Sequence, residues 1–268
     1  MIENILPPND KSDKLYKKEK HLFVGYLPAG YPTREDFLRI IKNSEKEGIQ
    51  IFEIGFPSLN PYSDGEVIQN AHRMIDQSIA RDLHFWREVR NSILQPIWIM
   101  GYKEDLIKSE MYLELAKENL YDALVVPDLN VLEQLKVQEE LSKYGVDVVG
   151  FISTEQSKEE NNKVLQNFPL IYQKLYSGPT GVANNSNQYL ELLQEAKRVS
   201  AGFIFAGFGI GSCERARELL NSGFDGVIIG TALLSKLIIS EQELYTFIKQ
   251  MEQTVKGVDE SYEVHSHI

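Results

Sequence analysis

The stretch Gly48-Ile-Gln-Ile-Phe-Glu53-Ile-Gly-Phe-Pro-Ser-Leu-Asn-Pro-Tyr-Ser-Asp64 holds one complete turn of this chain's architecture. Gly48 ends an amphipathic run, as a C′ glycine does when it takes a left-handed backbone without Cβ strain. Residues 50–55 follow as a short, largely apolar, β-rich segment, the pattern of a strand buried on both faces. The one charge in it, Glu53, falls just before its end. A loop of glycine, proline, asparagine and serine comes next and closes on a second acid, Asp64, ahead of Gly65. A carboxylate at the C-terminal end of a parallel strand, with another on the loop beyond, is a candidate pair for proton transfer.

The same order repeats in both directions. Further strands are expected at residues 22–27, 96–100, 123–126, 147–152, 170–175, 202–206 and 226–229. Helical periodicity occupies residues 35–47, 79–92, 108–119, 131–144, 158–167, 188–200 and 213–222, and a last helix is expected near 241–256. Gly145 and Gly223 stop helices as Gly48 does. Eight strand–helix units in 268 residues predict an α/β fold, a (β/α)8 TIM barrel, for which ~250 residues is usual. An open doubly wound sheet is the alternative, and the number of units in this length favours closure. No linker or low-complexity run interrupts the pattern, so residues 1–268 read as a single barrel domain. Residues 1–20 form an N-terminal helical arm and 258–268 a polar tail.

A hydrophobic content of 43% with 25% charged residues is enough to build a large core. The net charge of −11 argues against nucleic acid, which needs clustered lysine and arginine, and against anionic membrane surfaces. The single cysteine, Cys213, rules out an intrachain disulfide and points to a reducing compartment; packing is its expected role. No apolar stretch approaches the ~18 residues of a membrane span, and residues 1–20 lack a signal-peptide core. The expectation is a cytoplasmic protein. His21, His72, His84, His265 and His267 have no metal-ligand spacing with partner acids or cysteine, so no metal site is assigned. Trp86 and Trp98 read as packing residues.

Glu53 sits in an apolar frame of Ile51, Phe52, Ile54 and Phe56, where loss of water raises a carboxyl pKa towards neutrality. A plain structural role, capping a helix or pairing with a lysine, stays open for it. Asp64 has an equally plain alternative as N-cap of a short helix at 66–71. Two glycine clusters, Phe205-Ala-Gly-Phe-Gly-Ile-Gly-Ser212 and Ile228-Ile-Gly-Thr-Ala232, fall at the ends of strands seven and eight. There barrels of this kind bind phosphate on backbone N–H groups and on the N-terminus of an extra helix, here starting near Thr231.

These motifs together resemble the tryptophan synthase α-subunit family. Gly25-Tyr-Leu-Pro-Ala-Gly-Tyr-Pro32 is similar to that family's opening strand. Glu53-Ile-Gly-Phe-Pro57, Pro61, Asp64-Gly65 and Ile68-Gln-Asn-Ala71 are similar to its catalytic segment. Val126-Pro-Asp128, Gly178-Pro-Thr-Gly181 and Gly207-Phe-Gly-Ile210 are similar to later signatures. The resemblance implies a lyase that cleaves indole-3-glycerol phosphate to indole and glyceraldehyde 3-phosphate in tryptophan biosynthesis. It implies Glu53 as general acid/base, Asp64 as the second carboxylate, and Tyr172 and Thr180 as substrate-positioning residues. Gly181, Phe208, Gly209, Gly230 and Thr231 are implied as the phosphate site. No metal or organic cofactor is implied; the pyridoxal phosphate of the family belongs to its partner β subunit. The chain departs from the family pattern at Ser58-Leu59-Asn60, Glu66, Pro28, Glu104 and Leu175-Tyr176-Ser177. Two other readings fit the same residues: a diverged paralogue working without a β subunit or on another phosphorylated indole, and a non-catalytic subunit that binds an indole phosphate.

Overall fold

The computed structural model describes residues 13, 16, 18–175, 188–200 and 202–266, with side chains as far as 258. Eight parallel strands close in chain order: β1 (Leu22–Pro28), β2 (Ile51–Gly55), β3 (Ile97–Met100), β4 (Ala123–Val125), β5 (Asp147–Ile152), β6 (Leu170–Lys174), β7 (Phe203–Gly207) and β8 (Gly226–Ile229). Each lies within a residue or so of its expected place. Closure is made by β1, which pairs with β2 on one side and β8 on the other. No edge remains, so the open-sheet alternative is set aside.

Side chains alternate across each strand. Leu22, Val24, Ile51, Trp98, Phe205 and Ile228 fill the barrel interior, while Phe23, Phe52, Ile54 and Ile171 belong to the layer shared with the helices. Tyr16 plugs the N-terminal end of the barrel, its ring 4.6 Å from that of Phe203. The interior is therefore filled below, and a cavity opens towards the C-terminal ends of the strands.

The helices are α1 (Arg34–Glu47), α2 (Glu66–Met74), α3 (Leu83–Ser92), α4 (Met111–Lys117), α5 (Val131–Ser142), α6 (Lys158–Asn167), α7 (Gln188–Val199), α8 (Cys213–Asn221), α9 (Thr231–Ile239) and α10 (Glu241–Ser266). Gly48, Gly145 and Gly223 take φ of 120°, 66° and 109°, the left-handed exits their positions predict. Asn130 and Ser157 form capping boxes with Glu133 and Glu160. Cys213 is half-buried and packs against the core, and Trp86 and Trp98 are fully buried.

Three helix expectations change. The run expected at 79–92 is divided into a 3-10 turn, Gln77–Arg81, and α3, because the Asp82 carboxylate caps α3 by accepting from Phe85 N–H at 3.1 Å. The run expected at 108–119 shortens to α4, which begins after Glu110 at φ 60°, and a π-helical turn, Lys103–Ile107, precedes it where no helix was expected. Tertiary contacts override periodicity here. The Asp128 carboxylate takes the Lys103 N–H at 3.0 Å, and the neighbouring Tyr102 turns inward. Finally, α10 continues past 256 to Ser266, because the buried stripe of Leu244, Ile248, Met251, Val255 and Val258 runs through Gly257. That packing outweighs the ~1 kcal/mol helix penalty of a glycine.

Candidate active site

The C-terminal ends of the strands surround a cavity of about 370 Å³. Glu53, Asp64, Tyr172, Phe208, Gly209, Gly230 and Thr231 all line it. Thr180 and Gly181 lie outside the described residues. Asp128 falls at the same end of the barrel but clamps the loop after β3 through Lys103 N–H.

Glu53 points inward from β2, in register with Tyr26 of β1 and Trp98 of β3. It is only 4% exposed. Burial, and after it the negative charge of Asp64, push its carboxyl from 4.5 up to about 8. Among the described residues no lysine or arginine pairs with it, and it caps no helix, so neither plain role describes it. A carboxyl in that state is protonated at neutral pH and able to give its proton away.

Asp64 is equally buried, yet its state differs. Burial raises it to about 6, opposed by a hydrogen bond from the Tyr102 hydroxyl to Oδ2 at 2.6 Å. Its position is held by its own backbone. Asp64 N–H donates to the Pro61 carbonyl at 3.1 Å, and its carbonyl accepts from Gln69 Nε2 at 2.8 Å. The N-cap of α2 is Gly65, not Asp64, so the capping alternative fails. One cavity thus contains a neutral acid and an ionised acid at pH 7, the arrangement that separates donor and acceptor roles.

Two tyrosines stand beside Glu53. Tyr172 from β6 stacks on Phe151 at 5.0 Å and meets Phe208 edge-on at 5.7 Å. Its ring crosses Gly207, where a Cβ would come within 2.1 Å of it. Tyr26 crosses Gly55 in the same way, its hydroxyl 2.4 Å from where a Cβ would stand. Glycine at these two strand ends is what lets both rings lie flat against the barrel wall.

On the opposite side, Phe208 and Gly209 take consecutive left-handed conformations, φ 71° and 74°. For phenylalanine that conformation is strained, and such strain concentrates at functional turns. Gly230 is the N-cap of α9 without a side-chain cap, so the first N–H groups of that helix lie at the cavity wall formed by Gly230, Thr231 and Ala232. The partial positive charge of a helix start favours an anion there.

Sequence reasoning passed over four residues. Tyr26 and Lys236 line the cavity, and Tyr102 reaches Asp64. The fourth, His72, supports Tyr26 from the buried face of α2 with Ile68 and Ala71. Inward register on β1 was a signal for Tyr26, and the i, i+4 spacing from Ile68 one for His72. Among the described residues no group of three or more His, Cys, Asp or Glu side chains is placed to hold a metal ion. No helix among them is long and apolar enough to cross a membrane.

The family model of the tryptophan synthase alpha chain matches residues 13–263. The tryptophan synthase alpha chain of Caldicellulosiruptor bescii is 28% identical over 254 residues, covering 92% of this chain and 98% of that one. That of Bacillus subtilis is 30% identical over 224 residues, covering 81% and 83%. Among solved structures, a tryptophan synthase from Mycobacterium tuberculosis matches with a TM-score of 0.81 at 20% identity, covering 92% and 98% of the two chains, a likeness of fold. A structure from Aquifex aeolicus matches with a TM-score of 0.80 at 26% identity, covering 92% and 97%. With a family match that spans nearly the whole chain, the chain belongs to the tryptophan synthase alpha chain family and is a lyase of that family.

Proposed function

We propose that the cavity is where indole-3-glycerol phosphate is cleaved, with Glu53 and Asp64 as the catalytic pair. The observation that carries this reading is the pairing of a protonated with an ionised carboxyl in one buried site. Cleavage of the bond between indole C3 and the glycerol chain needs an electron sink. Glu53 supplies it by giving its proton to C3, which makes an indolenine cation. Asp64 accepts a hydrogen bond from the indole N–H and stabilises the positive charge that grows on the ring. Glu53, now a carboxylate, takes the proton of the side-chain hydroxyl. The C–O bond becomes the aldehyde carbonyl, the C3–carbon bond breaks, and its electrons restore the indole. Tyr172 positions the ring, and the phosphate is held by the backbone at Phe208–Gly209 and the start of α9 at Gly230–Thr231. Thr180 and Gly181 complete this reading as positioning and phosphate residues.

The partner in this reading is a tryptophan synthase β subunit, which would receive the indole. Its docking sector is the rim over β2, β3 and β4. Leu59 and Tyr62 are 83% and 54% exposed there, and the exposed Leu132 lies in the first turn of α5. A cytoplasmic location agrees with the lone cysteine and acidic charge.

The test is indole release from indole-3-glycerol phosphate by the purified chain, with and without a β subunit. Release in either condition supports the reading. No release in both would refute it and would favour a subunit that only binds an indole phosphate.

A further inference from the structure

Tyr26 and His72 are both buried, 4% and 2% exposed, and neither has a role in the reaction above. The Tyr26 hydroxyl lies 2.9 Å from His72 Nε2. On the other side of the ring, Ser58 N–H approaches Nδ1 at 3.3 Å. A backbone N–H only donates, so Nδ1 must offer its lone pair. Burial drives the His72 pKa down to about 4, so the ring is neutral and carries one proton. That proton is therefore on Nε2, and His72 donates to the Tyr26 oxygen. The direction of the contact is settled by a backbone group 14 residues before the histidine.

The consequence falls on Tyr26. Its oxygen is occupied as an acceptor, and its own proton has to point elsewhere. Among the described residues His72 is the one hydrogen-bond partner of this hydroxyl. Burial, followed by the charges of Asp64, Tyr102 and Glu53, raises its pKa well above 10, so it stays a phenol. The ring lines the cavity, and its hydroxyl stands over Gly55, one inward position beyond Glu53 towards the mouth. A buried O–H donor with no acceptor among the described residues, on a side chain that lines a cavity, is matched by an acceptor on the ligand.

We infer that Tyr26 is a further substrate-contacting residue: its hydroxyl, oriented by His72, donates a hydrogen bond to the substrate oxygen on the carbon attached to the indole ring. This rests on the proposed reaction. As Glu53 removes the proton of that oxygen, negative charge grows on it before the aldehyde forms, and a fixed donor stabilises that charge without reorganising. His72 is a positioning residue that acts through Tyr26.

The experiment compares cleavage of indole-3-glycerol phosphate by the full chain with that of its Tyr26→Phe, His72→Leu, His72→Gln and Tyr26→Phe/His72→Leu variants. Tyr26→Phe is expected to lower kcat roughly 10- to 100-fold, with KM changed less than about threefold, because the contact strengthens in the transition state. The double variant is expected to be no slower than Tyr26→Phe alone, since the two residues form one unit. His72→Gln, which keeps a donor and an acceptor, is expected to recover part of the rate lost in His72→Leu. Indole-3-propyl phosphate, which lacks both side-chain hydroxyls, should bind Tyr26→Phe and the unsubstituted chain equally. A kcat for Tyr26→Phe within about twofold of the unsubstituted chain would overturn the inference and leave the proposed function standing. So would a loss of propyl phosphate affinity as large as the loss of kcat, which would mark a collapsed cavity. No cleavage by the unsubstituted chain would overturn the proposed function and this inference together.

Discussion

Replacing Glu53 by glutamine should abolish cleavage and at the same time stabilise the fold, and the second effect has a calculable pH dependence. In the folded chain burial and the Asp64 charge lift this carboxyl from 4.5 to about 8. The folded state therefore keeps a proton that the unfolded chain releases, and stability falls as pH rises from about 4.5 towards 8. Each pH unit in that window costs about 1.4 kcal/mol, so at pH 7 the unsubstituted chain has lost about 3 kcal/mol to Glu53. Glutamine fills nearly the same volume and does not titrate. Glu53→Gln is accordingly expected to be more stable by about 3 kcal/mol at pH 7, by about 5 kcal/mol at pH 9, and by nothing at pH 4. Urea unfolding across that range, followed by the fluorescence of the fully buried Trp86 and Trp98, measures the difference. The same preparation should bind indole-3-glycerol phosphate but release no indole. A stability gain that is absent at pH 7, or constant from pH 4 to 9, would refute the argument that Glu53 is a desolvated acid. Turnover near the unsubstituted rate would refute its role as proton donor.

The pH profile of kcat/KM should be bell-shaped, rising through about 6 as Asp64 ionises and falling through about 8 as Glu53 loses its proton. A profile flat between 5 and 9 would contradict both assignments. Tyr102→Phe removes the hydrogen bond that stabilises the ionised Asp64, so the acid limb should move to higher pH while the alkaline limb stays. An unmoved acid limb would detach that limb from Asp64. Gly207→Ala would put a Cβ within 2.1–2.3 Å of the Tyr172 ring and hydroxyl, which must swing away. We expect kcat/KM to fall roughly tenfold or more with far-UV circular dichroism unchanged, as misplacement of a positioning group does. Full activity in that variant would show that Tyr172 does not position the substrate.

Much of this was legible in the chain because the relevant signals are local. Near-continuous apolar runs of three to seven residues mark strands buried on both faces, and C′ glycines such as Gly48, Gly145 and Gly223 mark where helices give way to them. An acid such as Glu53 stands out in a run of that kind without any knowledge of its neighbours in space. Helix limits were read less well wherever a distant group intervened. The Asp128 carboxylate holds the Lys103 N–H where a π-helical turn begins, and the packing of α10 carried a helix through Gly257. The same distinction divides the site. Tyr102 meets Asp64 across 38 residues and His72 meets Tyr26 across 46, contacts that barrel closure creates and no spacing announces.

By itself, then, the sequence determined the repeating strand–helix order, the closed barrel it implies, and the end of the barrel at which Glu53, Asp64 and the two glycine clusters fall. Tertiary structure alone decided which tyrosine supports the Asp64 carboxylate and which way the His72 proton points. The reason is physical. Periodicity and turn chemistry act between residues a few positions apart, whereas desolvation and hydrogen-bond direction depend on every group that the closed barrel brings around one cavity.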